Sequence, residues 1–422
     1  MSLTKIAILC PLISVDAPQP LRFREFIKYW ENHYEITVLA YQAGEEMSLV
    51  NRSTKLRTLN FTLPGRFLIK SRLKKKQTGA TPLRKFKAAN ALVKSAAKSI
   101  NINQWFFPDI FIVEYRNIRK RLEELISETR PDVLIISTSP FTLMLLPKFL
   151  KKKFPNLTII VDTGDPFYGN SSDYARSLIH RLFSKRIEAY CLSAADLLVV
   201  PTDILRSHYL KYFNKLISGD RVRVIEQGIN NVFTGISEIS AKERHYPVQA
   251  IYAGSFYRRL REPFELYKAV LLFRESEIRL KIFGNTREFF DPPAADPRFI
   301  KGGLITTDEL ASEYMKSDFI VFIDNAYGVQ VPGKLNEVLA VKRPLLYIYQ
   351  DEKAPSYQLV KGLGGIIMAR NNSVSIKDGI ESIATGEYVI SWDRNTSGMR
   401  YESLARKYRL LIDGLERVKP AT

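Results

Sequence analysis

The sharpest chemical pattern in the chain is Gly328-Val329-Gln330-Val331-Pro332-Gly333-Lys334-Leu335. Its glycine and lysine spacing fits a phosphate-cradling P-loop, but Leu335 stands where a Ser or Thr would hold Mg²⁺, and Pro332 removes an N–H from a loop that works by donating them. A nucleotide triphosphatase is therefore rejected. What survives is the order strand, loop, helix: a helix beginning near Gly333 offers free N–H groups and a positive dipole end to an anion, with Lys334 beside it. Glu337, one turn on, could accept hydrogen bonds from sugar hydroxyls or simply lie solvated on the helix. A second pattern, Tyr252-Ala253-Gly254-Ser255-Phe256-Tyr257-Arg258-Arg259-Leu260-Arg261-Glu262-Pro263, runs from a strand through a glycine and three arginines into a helix start. Glycine permits close backbone approach and the guanidinium fork matches phosphate; a surface arginine cluster is the alternative.

A third pattern, Asp162-Thr163-Gly164-Asp165-Pro166-Phe167, also follows a strand and is expected to bring two carboxylates to a cleft. Ser139, in Ser137-Thr138-Ser139-Pro140, reads as a helix N-cap or a wall of that cleft. Metal chemistry finds little here. No third carboxylate or His accompanies the Asp162 and Asp165 pair, His33, His180, His208 and His245 lack ligand spacing, and no Asp-x-Asp pair occurs, which disfavours a metal-dependent sugar transferase of the single-domain type. Cys10 and Cys191 are too few for a disulfide scaffold or a Cys-based zinc site, and point to a reducing cytoplasm.

The elements that must position these residues alternate between short apolar runs and helical stretches, the pattern of parallel α/β sheets. In the first half the expected strands are 6–10, 36–41, 132–137, 158–162, 196–200 and 222–226, with helices at 21–32, 82–100, 114–129, 141–152, 174–194 and 203–213. A polar stretch over 229–247 reads as a linker. Beyond it, strands are expected at 248–253, 278–283, 319–323, 345–349 and 366–369, with helices near 263–273, 307–316, 334–341 and 374–383. Tyr401, Leu404, Tyr408, Leu411 and Leu415 recur at helical spacing and need a surface to pack on. The expected organisation is two doubly wound domains, 1–230 and 231–395, facing each other across a cleft, and a C-terminal helix in 396–422 that returns to the first domain.

Of 422 residues, 63 are Lys or Arg against 44 Asp or Glu, a net charge of +19 that favours polyanions or anionic lipid. Between positions 66 and 108 stand Arg66, Lys70, Arg72, Lys74, Lys75, Lys76, Arg84, Lys85, Lys87, Lys94 and Lys98 and no acid at all. Phe67-Leu68-Ile69 and Trp105-Phe106-Phe107 flank them, which suits a membrane interface, with a solvated helix face as the alternative. No fingerprint of a nucleic-acid module accompanies the charge. No apolar run reaches the ~18–20 residues of a membrane span, and Pro11 interrupts the N-terminal run that would otherwise hint at a signal peptide.

Over nearly its whole length the chain resembles the retaining glycosyltransferases of the two-domain GT-B class, family four. Lys5-Ile6-Ala7-Ile8-Leu9 and Glu35-Ile36-Thr37-Val38-Leu39 look like that family's first two strands. Asp162-Thr163-Gly164-Asp165-Pro166-Phe167 is similar to its Asp-Phe-Arg-Asp-Pro-Trp loop, preceded by the Ser-Pro turn at Ser139-Pro140. The arginine loop resembles the donor-diphosphate loop, and Val331-Pro332-Gly333-Lys334-Leu335-Asn336-Glu337-Val338-Leu339-Ala340 resembles Val-Pro-Ser-Lys-Leu-Tyr-Glu-Tyr-Leu-Ala. The resemblance implies a cytoplasmic, peripheral-membrane hexosyltransferase of cell-envelope polysaccharide synthesis. It would take a nucleoside-diphosphate-sugar donor and a glycan or lipid-linked acceptor, retain configuration, and need neither cofactor nor metal. Arg261 and Lys334, with Arg258 or Arg259, would neutralise the diphosphate; Gly254, Ser255, Gly333 and Glu337 would complete the donor site; Asp165 would be catalytic; Ser139 and Asp162 would lie on the acceptor side. Gly164 replaces the family's Arg, Val329 replaces the first Glu of its Glu-x7-Glu pair, and Asp16-Ala17-Pro18-Gln19-Pro20 replaces the glycine-rich first loop. These departures keep two alternatives open: a nucleotide-sugar epimerase of the same fold, and an inactive nucleotide-sugar or glycan-binding subunit.

Overall fold

A computed structural model describes residues 3–15, 17–41, 54–70, 106–170, 178–234, 236, 246–284, 289, 296–386 and 396–416. The chain divides into two compact units, Met1–Glu226 together with Leu404–Thr422, and Gln227–Ser403. The division falls at 226 and 403 rather than 230 and 395 because the connecting residues bond within the second unit. Ile229 N–H donates to Met399 O at 2.9 Å, and a Cβ on Gly228 would lie 2.2 Å from the Tyr401 ring, so these segments are held together by backbone pairing and close packing.

The first unit is built on a seven-stranded parallel sheet in the order β3-β2-β1-β4-β5-β6-β7. The strands are β1 (Thr4–Leu9), β2 (Tyr34–Tyr41), β3 (Thr54–Leu59), β4 (Val133–Ser137), β5 (Thr158–Asp162), β6 (Leu197–Val200) and β7 (Val222–Val224). Every residue of β4 and β5 is buried, as continuous apolar strands covered on both faces must be. Strand β3 was not expected. Its sequence Thr-Lys-Leu-Arg-Thr-Leu is an edge strand with Lys55, Arg57 and Thr58 exposed, so it lacks the apolar run that marks its neighbours.

Helix Pro18–Trp30 has prolines in its first turn, where no N–H is needed, and buries Phe23, Phe26, Ile27 and Trp30 at helical spacing. The C-terminal helix Tyr401–Glu416 crosses from the second unit into the first. There Trp30 Nε1 donates to Ala405 O at 2.9 Å, the Tyr34 hydroxyl donates to Asp413 at 2.6 Å, and Tyr408 packs edge-on against Trp30 at 5.2 Å. Tyr408, Ala405 and Ile412 are fully buried, so this helix is part of the first unit's core.

The second unit carries six parallel strands in the order β10-β9-β8-β11-β12-β13. They are β8 (Val248–Ala253), β9 (Ile278–Phe283), β10 (Phe299–Gly303), β11 (Phe319–Ile323), β12 (Leu345–Tyr349) and β13 (Ile366–Arg370). Strand β10, a glycine-ended edge strand, was also not expected. Two apolar layers cover the sheet, one centred on Tyr252, Leu280 and Ile376, the other on Phe322, Leu335 and Tyr347. In each sheet the order reverses beside its first strand, between β1 and β4 and between β8 and β11, and ligands of open α/β sheets bind at such points.

Residues 71–105, which hold most of the acid-free basic run, the expected helix 82–100 and Trp105, lie outside the described residues. Ile69 is 2% exposed, and Phe107 packs on Phe167 at 5.8 Å and on His180 at 5.2 Å. Ile69 is therefore buried, and Phe107 is half-buried against these partners.

Candidate functional site

The second unit brings its two motif loops together at the switch point. Strands β8 and β11 are neighbours, with Tyr252 level with Val321. Beyond their ends, Ala326 N–H donates to Leu260 O at 2.7 Å, which joins the arginine loop to the loop that leads to Lys334. Arg261 Nη2 donates to Asn325 Oδ1 at 2.8 Å, and Asn325 Nδ2 donates to Gln330 O at 3.3 Å. The Arg261 guanidinium lies 5.9 Å from the Phe322 ring centroid, and its Nε is enclosed without a hydrogen-bond partner. Arg261 is thus a half-buried cation fixed by the end of β11.

Beneath it Asp324 is buried, accepts from the Tyr347 hydroxyl at 2.7 Å and receives the Asn325 N–H at 2.8 Å. Burial raises its carboxyl above the usual range, opposed by the Tyr347 and Ser356 hydrogen bonds and by the charge of Arg261. Asp324, Asn325 and Tyr347 were not among the expected site residues. The signal for Asp324 and Asn325 was their place immediately after strand 319–323, where an α/β sheet presents its loops.

Gly254 N–H donates to Phe283 O at 2.9 Å. Gly284, with φ +122°, has a Cβ position only 2.2 Å from Gly254 O. Two backbones therefore touch, and only glycine at 284 admits this approach. Ser255 is half-buried beside Gly254, while Arg258 and Arg259 are exposed on the loop's outer turn. Arg259 has φ +62° and its N–H is taken by Glu262 at 2.8 Å.

Gly333 precedes a helix of seven residues, Lys334–Ala340. Lys334 Nζ donates to Glu337 Oε2 at 2.8 Å, so the two residues expected to hold diphosphate and ribose are an ion pair, with Lys334 the more exposed. Asn336 donates to Gln227 O at 2.9 Å and ties this helix to the start of the unit.

The first unit separates its two aspartates. Asp162, the last residue of β5, is fully buried and pairs with Arg22 Nη2 at 3.3 Å, and Gln19 Nε2 donates to its carbonyl at 2.7 Å. Burial raises its carboxyl, and Arg22, Gln19 and Tyr408 oppose the rise. The expectation that both carboxylates face a cleft is corrected: Asp162 is enclosed by the helix Pro18–Trp30 and the C-terminal helix, and serves to seat the strand end. Asp165, three residues on, is exposed, as is Ser139. Thr163 Oγ1 donates to Asp165 O at 2.7 Å, and Thr138 N–H donates to Asp162 O at 3.0 Å, so the loops after β4 and β5 are fixed to each other.

No family model matches the chain, and no curated protein matches it in sequence. Solved structures do match over its whole length. A sucrose-phosphate synthase from Thermosynechococcus elongatus superposes with a TM-score of 0.67 at 13% identity, covering 99% of this chain and 100% of that one. A glycosyltransferase from Rickettsia africae gives 0.63 at 10% identity, with 99% and 100% covered. The fold is GT-B. Within that fold the UDP-GlcNAc 2-epimerase from Methanocaldococcus jannaschii is also similar, with a TM-score of 0.51 at 14% identity, 97% and 100% covered. The GT-B architecture expected of two doubly wound domains is therefore present, with its first-strand switch points carrying the loops described above.

Proposed function

We propose that this GT-B protein transfers a sugar from a nucleoside-diphosphate-sugar to a hydroxyl of a glycan or lipid-linked acceptor, with retention of configuration, as the resemblance to family four implies. The observation that carries this reading is the seat of Arg261: a guanidinium held by Asn325 where the loops after β8 and β11 are hydrogen-bonded together. Such a fixed cation suits a bond cleavage that leaves charge on a diphosphate. As the sugar C1–O bond breaks, positive charge develops on the sugar and negative charge on the leaving phosphate. A preorganised donor needs no rearrangement to meet that charge.

Arg261 and Lys334 serve as that donor pair. Arg258 and Arg259 support them from the rim, and Gly254, Ser255 and Gly333 allow close backbone approach. Lys334 turns from Glu337 toward the phosphate, which leaves the Glu337 carboxylate to accept from a ribose hydroxyl. The acceptor oxygen forms the new C1–O bond, and its proton passes to the leaving phosphate oxygen. Asp165 and Ser139 are the exposed polar residues proposed to meet the acceptor. Positive side chains make metal unnecessary. The reading includes polysaccharide synthesis at the cytoplasmic face of a membrane, with residues 66–108 as the basic surface that meets anionic lipid.

Structural likeness to a sucrose-phosphate synthase supports transfer, and likeness to UDP-GlcNAc 2-epimerases keeps epimerisation as the second reading. One experiment separates them. UDP, GDP and dTDP are tested for thermal stabilisation in EDTA, and the matching nucleotide-sugars are then assayed for transfer, hydrolysis and epimerisation. Stabilisation of about 2.7 kcal/mol is expected at a hundredfold excess over Kd. Arg261→Ala and Lys334→Ala should each lower turnover by roughly 10²–10³ with the fold intact. Stabilisation by no nucleoside diphosphate, or wild-type rates in both variants, would refute the assignment, and binding without turnover would identify an inactive subunit.

A further inference from the structure

Within the first unit, lined by none of the residues assigned a role above, a cavity of about 270 Å³ opens between the helices Leu178–Leu192 and Asp203–Phe213 and the loop after β5. Phe167, Tyr168, His180, Arg181, His208 and Tyr212 line it. Its volume is below the ~300–1,000 Å³ of pockets for drug-sized ligands, which selects a single ring rather than a nucleotide or a disaccharide.

His208 carries the strongest indication of a ligand. It is 8% exposed, and its Nε2 has no hydrogen-bond partner. A buried ring nitrogen without a partner forfeits about a hydrogen bond's worth of free energy, which a ligand hydroxyl would restore. The imidazole is held in place: it lies 4.9 Å from the Tyr212 ring and 5.8 Å from the Tyr209 ring. Gly169, at φ +81°, leaves room beside the ring's Cε1 edge, since a Cβ there would sit 3.0 Å from His208 Cε1 and 3.8 Å from Nε2. Burial also lowers the imidazole pKa, so the ring is neutral near pH 7 and can exchange hydrogen bonds with a hydroxyl without bringing charge of its own.

The remaining walls are of two kinds. Tyr168 and Tyr212 stand edge to face at 5.2 Å, which presents aromatic surface to the cavity. Cations gather on those same rings. Lys185 Nζ lies 5.5 Å from the Tyr168 centroid and 5.7 Å from that of Tyr212, Lys211 Nζ lies 5.3 Å from Tyr212, and Arg181 is exposed at the rim. No acid is among the lining residues. Inorganic phosphate would use the cations and leave the aromatic walls idle; a neutral hexose would do the reverse.

We propose that this cavity binds one acidic pyranose, the uronic acid type of sugar residue, with its ring against Tyr168 and Tyr212, a hydroxyl on His208 Nε2 and its carboxylate on Arg181. It is a glycan-recognition site separate from the donor loops. It selects a polymer or chain end that carries such a residue, and it stands or falls independently of the transfer reading.

Binding to the full chain is measured by ligand-observed NMR and calorimetry, with sodium glucuronate, methyl glucoside and inorganic phosphate as the three probes. Glucuronate should saturate, and methyl glucoside should bind about tenfold or more weakly, the scale of one charge-assisted hydrogen bond. Arg181→Gln should remove the preference for glucuronate. Tyr212→Leu and His208→Ala should weaken both sugars, with stabilisation by nucleoside diphosphates unchanged. Because His208 is buried, Arg181→Gln and Tyr212→Leu, both at exposed positions, decide the matter if His208→Ala fails to fold. No saturation by glucuronate, equal binding of phosphate and glucuronate, or wild-type affinity in Arg181→Gln and Tyr212→Leu would overturn the proposal.

Discussion

Arg22 and Asp162 form a buried ion pair whose removal should be felt throughout the first unit. Arg22 is 1% exposed and Asp162 not at all, and the guanidinium also lies 5.3 Å from the Phe26 ring and 6.0 Å from the Tyr408 ring. Arg22→Leu keeps apolar contact with those rings but leaves a carboxylate enclosed without its cation. Breaking a buried pair from one side typically costs about 3–5 kcal/mol. Gln19 still donates to the Asp162 carboxylate at 3.3 Å, which favours the lower end, about 3 kcal/mol.

The sign of the pH dependence follows from the same geometry. Burial already raises the Asp162 carboxyl, with Arg22 the largest opposing influence, so loss of Arg22 raises it further. The buried carboxyl then takes up a proton as the pH falls and becomes neutral. The variant's deficit relative to wild type should therefore be largest at pH 8 and shrink at pH 5, and Arg22→Leu combined with Asp162→Asn should recover much of the loss. Trp30, packed on Tyr408, reports the transition in urea once Trp105 and Trp392 are replaced by Phe. A deficit under about 1 kcal/mol, or one equal at pH 5 and pH 8, would refute the argument.

Two further outcomes are expected. Deleting the chain from Ser397 onward removes the buried Tyr408, Ala405 and Ile412 and exposes Trp30, so the truncated protein should melt well below wild type and bind a hydrophobic dye; an unchanged melting temperature would show that the helix contributes nothing to the core. Burial pushes the Glu188 carboxyl up to about 7, against hydrogen bonds from the Tyr209 hydroxyl and the N–H groups of Phe167 and Tyr168. Its contribution to stability is full below the ordinary value near 4.5 and is lost as the pH rises to about 7, so wild type should lose about 3 kcal/mol relative to Glu188→Gln across that window, and a flat difference would contradict the assignment.

Most of the architecture was readable from apolar runs, because strands buried on both faces write themselves as uninterrupted Ile, Leu, Val and Phe. Edge strands do not. β3 and β10 are half exposed, and Lys55, Arg57 and Lys301 give them the look of loops. The two motif loops of the second unit were readable for a different reason: glycine, arginine and lysine at strand ends are types that few structural roles require together. What holds them was not readable. Arg261 and Asn325 are 64 residues apart, and neither residue type announces the other.

The two aspartates after β5 show where position must decide between identical chemistries. Asp162 and Asp165 stand three residues apart at the end of one strand, and by type alone either could meet a substrate. Asp162 is still within the strand and fully buried, so its charged form needs a cation beside it. That cation was visible. Arg22 lies on the same helical stripe as Phe26 and Trp30, four and eight residues on, and an arginine on the apolar face of a helix must have an anion to meet. Pairing Arg22 with Asp162 assigns the buried carboxylate to the fold, whereas Asp165, already past the sheet edge, is exposed.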